Sequence, residues 1–227
     1  MSSQPGSRSF AIGDVHGCDV ALDVLLDRLQ LTSTDRAIFL GDLIDRGPDS
    51  RRVIEMGLQT SRFCRCDLIL GNHEEMLLEA LHDPRGVRFW LECGGDATLE
   101  SYGGRLEDIP DEHLEFLRAA VPYIETGTDI LVHANLDPDV PLAEQTADWL
   151  RWNKLTGWER PHPSGKRVLC GHTEMPDGIP HMANGWVMLD TSAYRGGFLT
   201  ALDLQSGEIF QATQGGAFRG GVYLDEL

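Results

Sequence analysis

Short apolar runs alternate with helical stripes through the first third of the chain. Residues 8–12 (RSFAI) predict a buried strand that stops at Gly13. Leu22, Leu25, Leu26 and Leu29 then recur at i, i+3, i+4 and i+7, the spacing of an amphipathic helix. Ala37–Leu40 is a second apolar strand, stopping at Gly41, and Asp67–Leu70 a third, stopping at Gly71. Between these two, Asp49 or Ser50 can cap a helix carrying Val53, Ile54 and Gly57. After the third strand, Met76, Leu77, Leu78 and Leu81 predict a helix over Glu74–Leu81. The order is βαβαβα, and short strands joined by helical crossovers imply a parallel sheet covered by helices.

The pattern changes further on. Leu91–Arg105 is rich in Gly and reads as loop plus a short helix, and His113–Ala120 as another helix. Tyr123–Glu125 and Ile130–Val132 read as a hairpin around Gly127-Thr128. Val168–Cys170, Trp186–Leu189, Phe198–Asp203 and Glu208–Ala212 are strands separated by turns, which predicts a second, more antiparallel sheet packed on the first. Gly215–Gly221 reads as a flexible tail. With no repeat or long linker, the expectation is an α/β fold forming one domain over residues 1–227, its core at about 9–212.

Charge narrows the partners. The 227 residues carry a net charge of −17, and the Lys and Arg residues are scattered. Such a chain repels nucleic-acid phosphates and anionic lipid, so neither is expected as a partner. The longest apolar runs are too short to span a membrane. Met1–Ser9 is polar and does not read as a secretory signal, so the cytoplasm is the expected compartment. Five cysteines without an export signal read as free thiols, and Cys64-Arg65-Cys66 has no second pair at zinc-site spacing.

The chemistry collects where strands end. The first three strands run into Gly13-Asp14-Val15-His16-Gly17, Gly41-Asp42-Leu43-Ile44-Asp45-Arg46-Gly47 and Gly71-Asn72-His73-Glu74. Two later strands run into Val132-His133-Ala134-Asn135 and Gly171-His172-Thr173. Carboxyl ends of neighbouring strands converge on one crevice in an open α/β sheet. Any one of these clusters alone reads as an ordinary turn or a hydrogen-bonded structural residue; five in this order read as a dinuclear metal site. Mixed carboxylate and imidazole donors suit Mn, Fe or Zn better than Ca or Mg. Two ions about 3.5–4 Å apart lower the pKa of water and make hydroxide available near neutral pH.

GDVHG, GDLIDRG and GNHE, with the later His and GHT, resemble the calcineurin-like metallophosphoesterases. Within them the chain is most similar to the bacterial and phage branch of the PPP serine/threonine protein phosphatases. The resemblance runs from about Ser9 to Ala212 and includes Asp190-Thr191-Ser192-Ala193. It implies a two-sheet β-sandwich flanked by helices, with two divalent ions, manganese foremost. It implies that Asp14 and His16 hold one ion, that Asp42 bridges, and that Asn72, His133 and His172 hold the other. It further implies that His73 is the general acid paired with Asp45, and that Arg46 binds phosphate. Arg151, two residues after Trp149, is the candidate second phosphate ligand, with Lys154 and Arg160 as alternatives. The implied reaction is direct attack of a bridging hydroxide on a phosphoserine or phosphothreonine protein.

HAN replaces the HGG common in eukaryotic relatives, and Leu70 stands where many carry Arg. The competing reading is symmetrical dinucleoside tetraphosphate hydrolysis, which Arg46-Gly47-Pro48-Asp49-Ser50 fits well. Asp45 and Glu74 tilt the choice to protein phosphatase, because the dinucleotide branch typically lacks that Asp and ends its third motif in Asp. A catalytically inactive metal-dependent binding module is a third reading, opposed by the complete ligand set. His82, His113, His162 and His181 read as surface residues. Trp90, Trp152, Trp158 and Trp186 read as packing or groove walls rather than a stacking platform. Oligomeric state is left open.

Overall fold

The computed structural model describes residues 7–227; the polar opening, read above as no secretory signal, lies largely outside them. The first third follows the periodicity. Strands β1 (Ser9–Ile12), β2 (Arg36–Phe39) and β3 (Arg65–Leu68) pair in parallel. They are linked through helices α1 (Asp19–Leu29) and α2 (Ser50–Phe63), and α3 (Asn72–Ala80) follows. The α1 stripe buries Ala21, Leu22, Leu25 and Leu29. Asp49 caps α2 by accepting the Arg52 N–H, a contact worth about 1 kcal/mol.

The Gly-rich middle is more helical than its composition implies. Helix α4 (Pro84–Trp90) runs through a wide turn, Leu91–Gly95, into α5 (Asp96–Ser101). The turn kinks at Gly94, whose φ of 110° only glycine adopts readily. A Cβ there would lie 2.7 Å from the Arg46 side chain, so Gly94 serves close approach, not disorder. Helix α6 (Asp111–Arg118) follows, and its His113 is buried against the Tyr102 hydroxyl at 2.7 Å rather than lying on the surface.

The remaining elements are β4 (Tyr123–Glu125), β5 (Asp129–Val132), α7 (Ala147–Arg151), β6 (Arg167–Cys170), β7 (His181–Ala183), β8 (Trp186–Met188), β9 (Leu199–Asp203), β10 (Glu208–Ala212) and β11 (Phe218–Tyr223). Two mixed sheets result, ordered β11-β10-β9-β1-β2-β3 and β4-β5-β6-β8-β7. The expected separate late sheet therefore divides. Strand β9 is buried at every position, so it needs cover on both faces, and it docks antiparallel on β1 in the middle of the larger sheet. The expected tail is corrected too: β11 pairs with β10 across a bulge, and Arg219 packs 3.7 Å over the Phe198 ring.

Alternation along the strands builds the layers. Phe10, Ile12 and Phe39 face the helices, while Ala11, Ile38 and Leu40 face Leu131, Leu169 and Val187 of the smaller sheet. Ile130, Val132, Val168 and Trp186 form a third cluster with Leu136 and Leu150. The loops after β1, β2, β3, β5 and β6 thereby come together. All five cysteines are free thiols. Among the described residues no helix is long and apolar enough to cross a membrane.

One ion pair ties the start of β1 to the turn before β2. Buried Asp35 accepts the Arg8 guanidinium at 2.7 Å and the N–H groups of Arg8 and Thr32 at 2.9 Å. Burial pushes its carboxyl up, but these bonds outweigh burial and hold it down at about 2. The folded value lies below the unfolded one, so the contribution is complete above about pH 4 and is lost as pH falls through about 2. Asp35→Asn should cost about 1–2 kcal/mol at pH 7 in urea unfolding. The gap from the native protein should close toward pH 2.5; a gap that stays constant across that range refutes the assignment.

Candidate active site

The loops at the strand ends hold strained backbone. His16, Asp42, Asp45, Arg46 and His172 have φ of 45°, 50°, 73°, 68° and 59°, the left-handed region that costs a non-glycine residue about 1–2 kcal/mol. Such strain survives only where neighbours over-determine it. Here the Asp42 carbonyl accepts the Val15 and His16 N–H groups at 3.0 and 2.8 Å, locking the β1 and β2 loops together.

Asp42 lies at the centre and is buried. Its Oδ2 is 3.5 Å from His16 Nε2 and 3.9 Å from His73 Nε2, and its Oδ1 is 3.4 Å from His133 Nε2. Carbonyl oxygens can only accept, so the ring contacts fix the tautomers. His16 donates from Nδ1 to the Ile44 carbonyl and His133 from Nδ1 to the Leu40 carbonyl, both at 2.9 Å. Their Nε2 lone pairs therefore face Asp42. His172 donates from Nε2 to the Trp152 carbonyl at 3.0 Å, leaving its Nδ1 lone pair free. His133 Nε2 also lies 3.0 Å from Asn72 Oδ1.

Two donor groups result, His16 with Asp42 and His73, and Asp42 with His133 and His172, each with ligand atoms within 4.8 Å of one another. Asp42 is common to both. Asp14 lies at the edge: its Oδ2 accepts the His172 N–H at 2.9 Å, and its buried Oδ1 has no hydrogen-bond partner. Burial, then the charges of Asp190 and Asp42, push the Asp14 carboxyl well above its usual range. Burial first, and then Glu174 and Asp42, likewise raise Asp190 to about 6, although its oxygen accepts the Ser192 N–H. A buried group of carboxylates and lone-pair nitrogens, with Asp14 Oδ1 unpartnered, is a donor set that fits divalent cations.

His73 is held differently. Its Nδ1 lies 2.6 Å from Asp45 Oδ2, and Asp45 also accepts Trp90 Nε1 at 2.9 Å and the Thr98 hydroxyl at 2.6 Å. Burial disfavours the imidazolium, but the Asp42 charge and the Asp45 bond outweigh it and raise His73 above its ordinary value. Trp90 and Thr98 bear no motif, and their role is invisible until α4 and α5 fold over the β2 loop. Asp190 had a signal, an acid directly after an apolar strand, as at Asp14 and Asp42.

Arg46 donates from Nη1 to His16 Nε2 at 2.9 Å and packs 5.0 Å over the Tyr194 ring. Arg151 is bound to Glu75 at 2.5 Å, near enough for its charge to bear on His133. Lys154 lies two residues beyond Trp152, whose carbonyl holds His172, and Arg160 is further out, paired with Asp139. Glu74 turns away from the crevice: fully buried, it accepts the N–H groups of Asp42 and Leu43 at 2.8 Å and of Gly71 at 3.2 Å.

A fold of this architecture with this strand-end site defines a metallophosphoesterase, and the model of the calcineurin-like phosphoesterase family matches residues 8–185. The chain belongs to that family, whose members use a dinuclear divalent metal site. It is 32% identical over 144 residues to a symmetrical bis(5'-nucleosyl)-tetraphosphatase of Erwinia tasmaniensis, covering 61% of this chain and 48% of the relative. The chain spans about half the length of the curated relatives it matches. A crystal structure provisionally assigned as a diadenosine tetraphosphatase superposes with a TM-score of 0.68 at 21% identity, over 96% of this chain and 95% of that one. A protein serine/threonine phosphatase from Saccharomyces cerevisiae superposes at 0.64 and 14% identity, over 91% and 75%, which shows a shared fold alone.

These similarities overturn the expected protein phosphatase activity and its phosphoprotein partner. Glu74 binds backbone amides and Asp45 is enclosed by His73, Trp90 and Thr98, so neither side chain is presented to a substrate.

Asp42→Asn removes the carboxylate shared by both donor groups. Metal analysis of the purified variant is expected to show loss of bound divalent ions together with activity. Native stoichiometry in the variant would contradict the shared role.

Proposed function

We propose that the site hydrolyses bis(5'-nucleosyl) tetraphosphates symmetrically, adding water across the central phosphoanhydride to give two nucleoside diphosphates. The identity to relatives bearing that name carries this reading.

Asp14, His16, Asp42, Asn72, His133 and His172 would hold two divalent ions, with manganese the proposed metal. Such ions supply Lewis acidity to phosphoryl oxygens and lower the pKa of water. Arg46 and Arg151 would orient the phosphoryl oxygens through planar, bidentate guanidinium contacts, Arg151 exchanging its bond to Glu75. His73 holds a proton at Nε2, aimed into the crevice, for the oxygen that leaves phosphorus. Asp45 keeps the ring in place and sustains its charge.

Diadenosine tetraphosphate should be turned over with higher kcat/KM than a phosphoserine peptide at equal manganese and ionic strength, with ADP as sole nucleotide product. Faster peptide hydrolysis, or AMP plus ATP as products, would sink the reading.

The acid has its own signature. A nucleoside diphosphate leaves as a phosphate whose second pKa is about 6, whereas an alkoxide needs a proton to depart. His73→Asn should lower kcat on an alkyl phosphate by about 10²–10⁴-fold and cost less on the tetraphosphate. Equal losses on both would remove His73 from the acid role.

A further inference from the structure

Beside the His133 and His172 end of the crevice lies a cavity of 470 Å³, within the usual range of small-ligand sites. Asn135, Trp149, Asn153, Lys154, Trp158 and Arg160 are among its walls. Two of its wall residues lie on the segments that carry or hold the ligand candidates. Asn135 stands two residues after His133, and its N–H donates to the Trp149 carbonyl. Asn153 follows Trp152, whose carbonyl accepts His172 Nε2 at 3.0 Å.

Trp158 has no evident packing role, since it is 87% exposed. An indole of that exposure on a mobile tail would carry little meaning, but this loop is held firmly. The Glu159 carboxylate accepts the Thr156 N–H at 2.5 Å, the Thr156 hydroxyl at 2.9 Å and the Gly157 N–H at 2.9 Å. Leu155 N–H donates to the Thr173 hydroxyl at 3.0 Å, and Trp186 Nε1 donates to the Arg160 carbonyl at 3.0 Å. A large aromatic face is thus displayed on a pre-ordered loop at the mouth of a cavity, with a second indole, Trp149, in its wall. Asn135 and Asn153 add amide groups able to pair with the edge of a planar heterocycle. Lys154 has no ion-pair partner among the described residues and stands on the same wall, whereas Arg160 is neutralised by Asp139.

We propose that this cavity is a nucleoside subsite: a nucleobase stacks on Trp158, and Lys154 meets the phosphate chain between the base and the catalytic groups. The inference rests on the tetraphosphatase reading for its substrate class, while the observations behind it are the cavity and its loop. Stacking discriminates poorly among bases, because every base has a π face. The subsite therefore selects for a nucleobase in general and against a bare phosphate ester.

The test compares AMP with ribose 5-phosphate, which share the sugar and phosphate and differ in the base. Calorimetric titration of the manganese-loaded protein should give a Kd at least about 10-fold lower for AMP. Trp158→Ala should raise the AMP Kd to that of ribose 5-phosphate, and Trp158→Phe should retain part of the preference. Because Trp158 is so exposed, truncation leaves the core intact, and an unchanged Tm verifies this. Equal affinity for the two ligands in the native protein overturns the subsite, as does an AMP preference that survives Trp158→Ala. The two readings fail separately. Hydrolysis of diadenosine tetraphosphate without a base preference refutes the subsite alone. A Trp158-dependent preference without that hydrolysis refutes the tetraphosphatase reading alone.

Discussion

The crevice depends on keeping one buried carboxylate charged. Burial opposes ionisation of Asp42; the rings of His133, His73, His16 and His172 lower its carboxyl only where they carry a proton, and His73 is the one whose protonated form is favoured. Each ring is in turn oriented by an oxygen acceptor: Ile44 and Leu40 carbonyls for His16 and His133, Trp152 for His172, and Asp45 for His73. The same residue ties the chain together through its backbone. Its carbonyl binds the β1 loop, its N–H binds Glu74, and its Oδ1 accepts the His73 N–H at 3.1 Å. Charge, orientation and loop docking therefore stand or fall together.

That economy explains the placement of strain and glycine. Asp42 sits in the left-handed region between Gly41, itself at φ 105°, and the docked β3 loop. A Cβ on Gly71 would lie 2.2 Å from Asp42 Oδ1, and one on Gly41 would lie 2.7 Å from His133 Nδ1. Side chains are excluded there so that donors from three strands can crowd around one anion. Glu74 offsets the strain from behind by accepting three backbone N–H groups, although burial and then the Asp42 charge push its carboxyl up to about 7. The third motif thus ends in an acid for a reason of local architecture.

What was legible in the sequence follows from which interactions are local. The βαβαβα order and the five strand-end clusters were readable because short apolar runs and a 3.6-residue period report burial directly. The partner of a late strand is not local information. Phe198–Asp203 reads as a strand but carries no mark that it docks beside β1, 196 residues separating Ser9 from its contact Gln205. Phe218–Tyr223 was hidden by its glycines, which an edge strand next to a bulge tolerates. Trp90 reads as packing and Thr98 carries no signal, because their bonds to Asp45 form only after two helices fold over the β2 loop.

Substrate choice failed for a related reason. This chain shares its fold both with a structure provisionally assigned as a diadenosine tetraphosphatase and with a protein serine/threonine phosphatase, so the fold does not separate the two substrate classes. Residues within the motifs serve first to hold one another, as Glu74 and Asp45 do. A phosphoryl group attached to a peptide and one within a dinucleotide differ in what lies several ångströms away. The groups able to sense that difference stand on the loop that carries Lys154 and Trp158, outside the strand-end motifs. That loop is anchored to the smaller sheet through Trp186 and to the His172 loop through Thr173, so its exposed indole keeps a defined position relative to the metal-ligand candidates. Specificity can then change by altering one loop without disturbing the charge balance around Asp42.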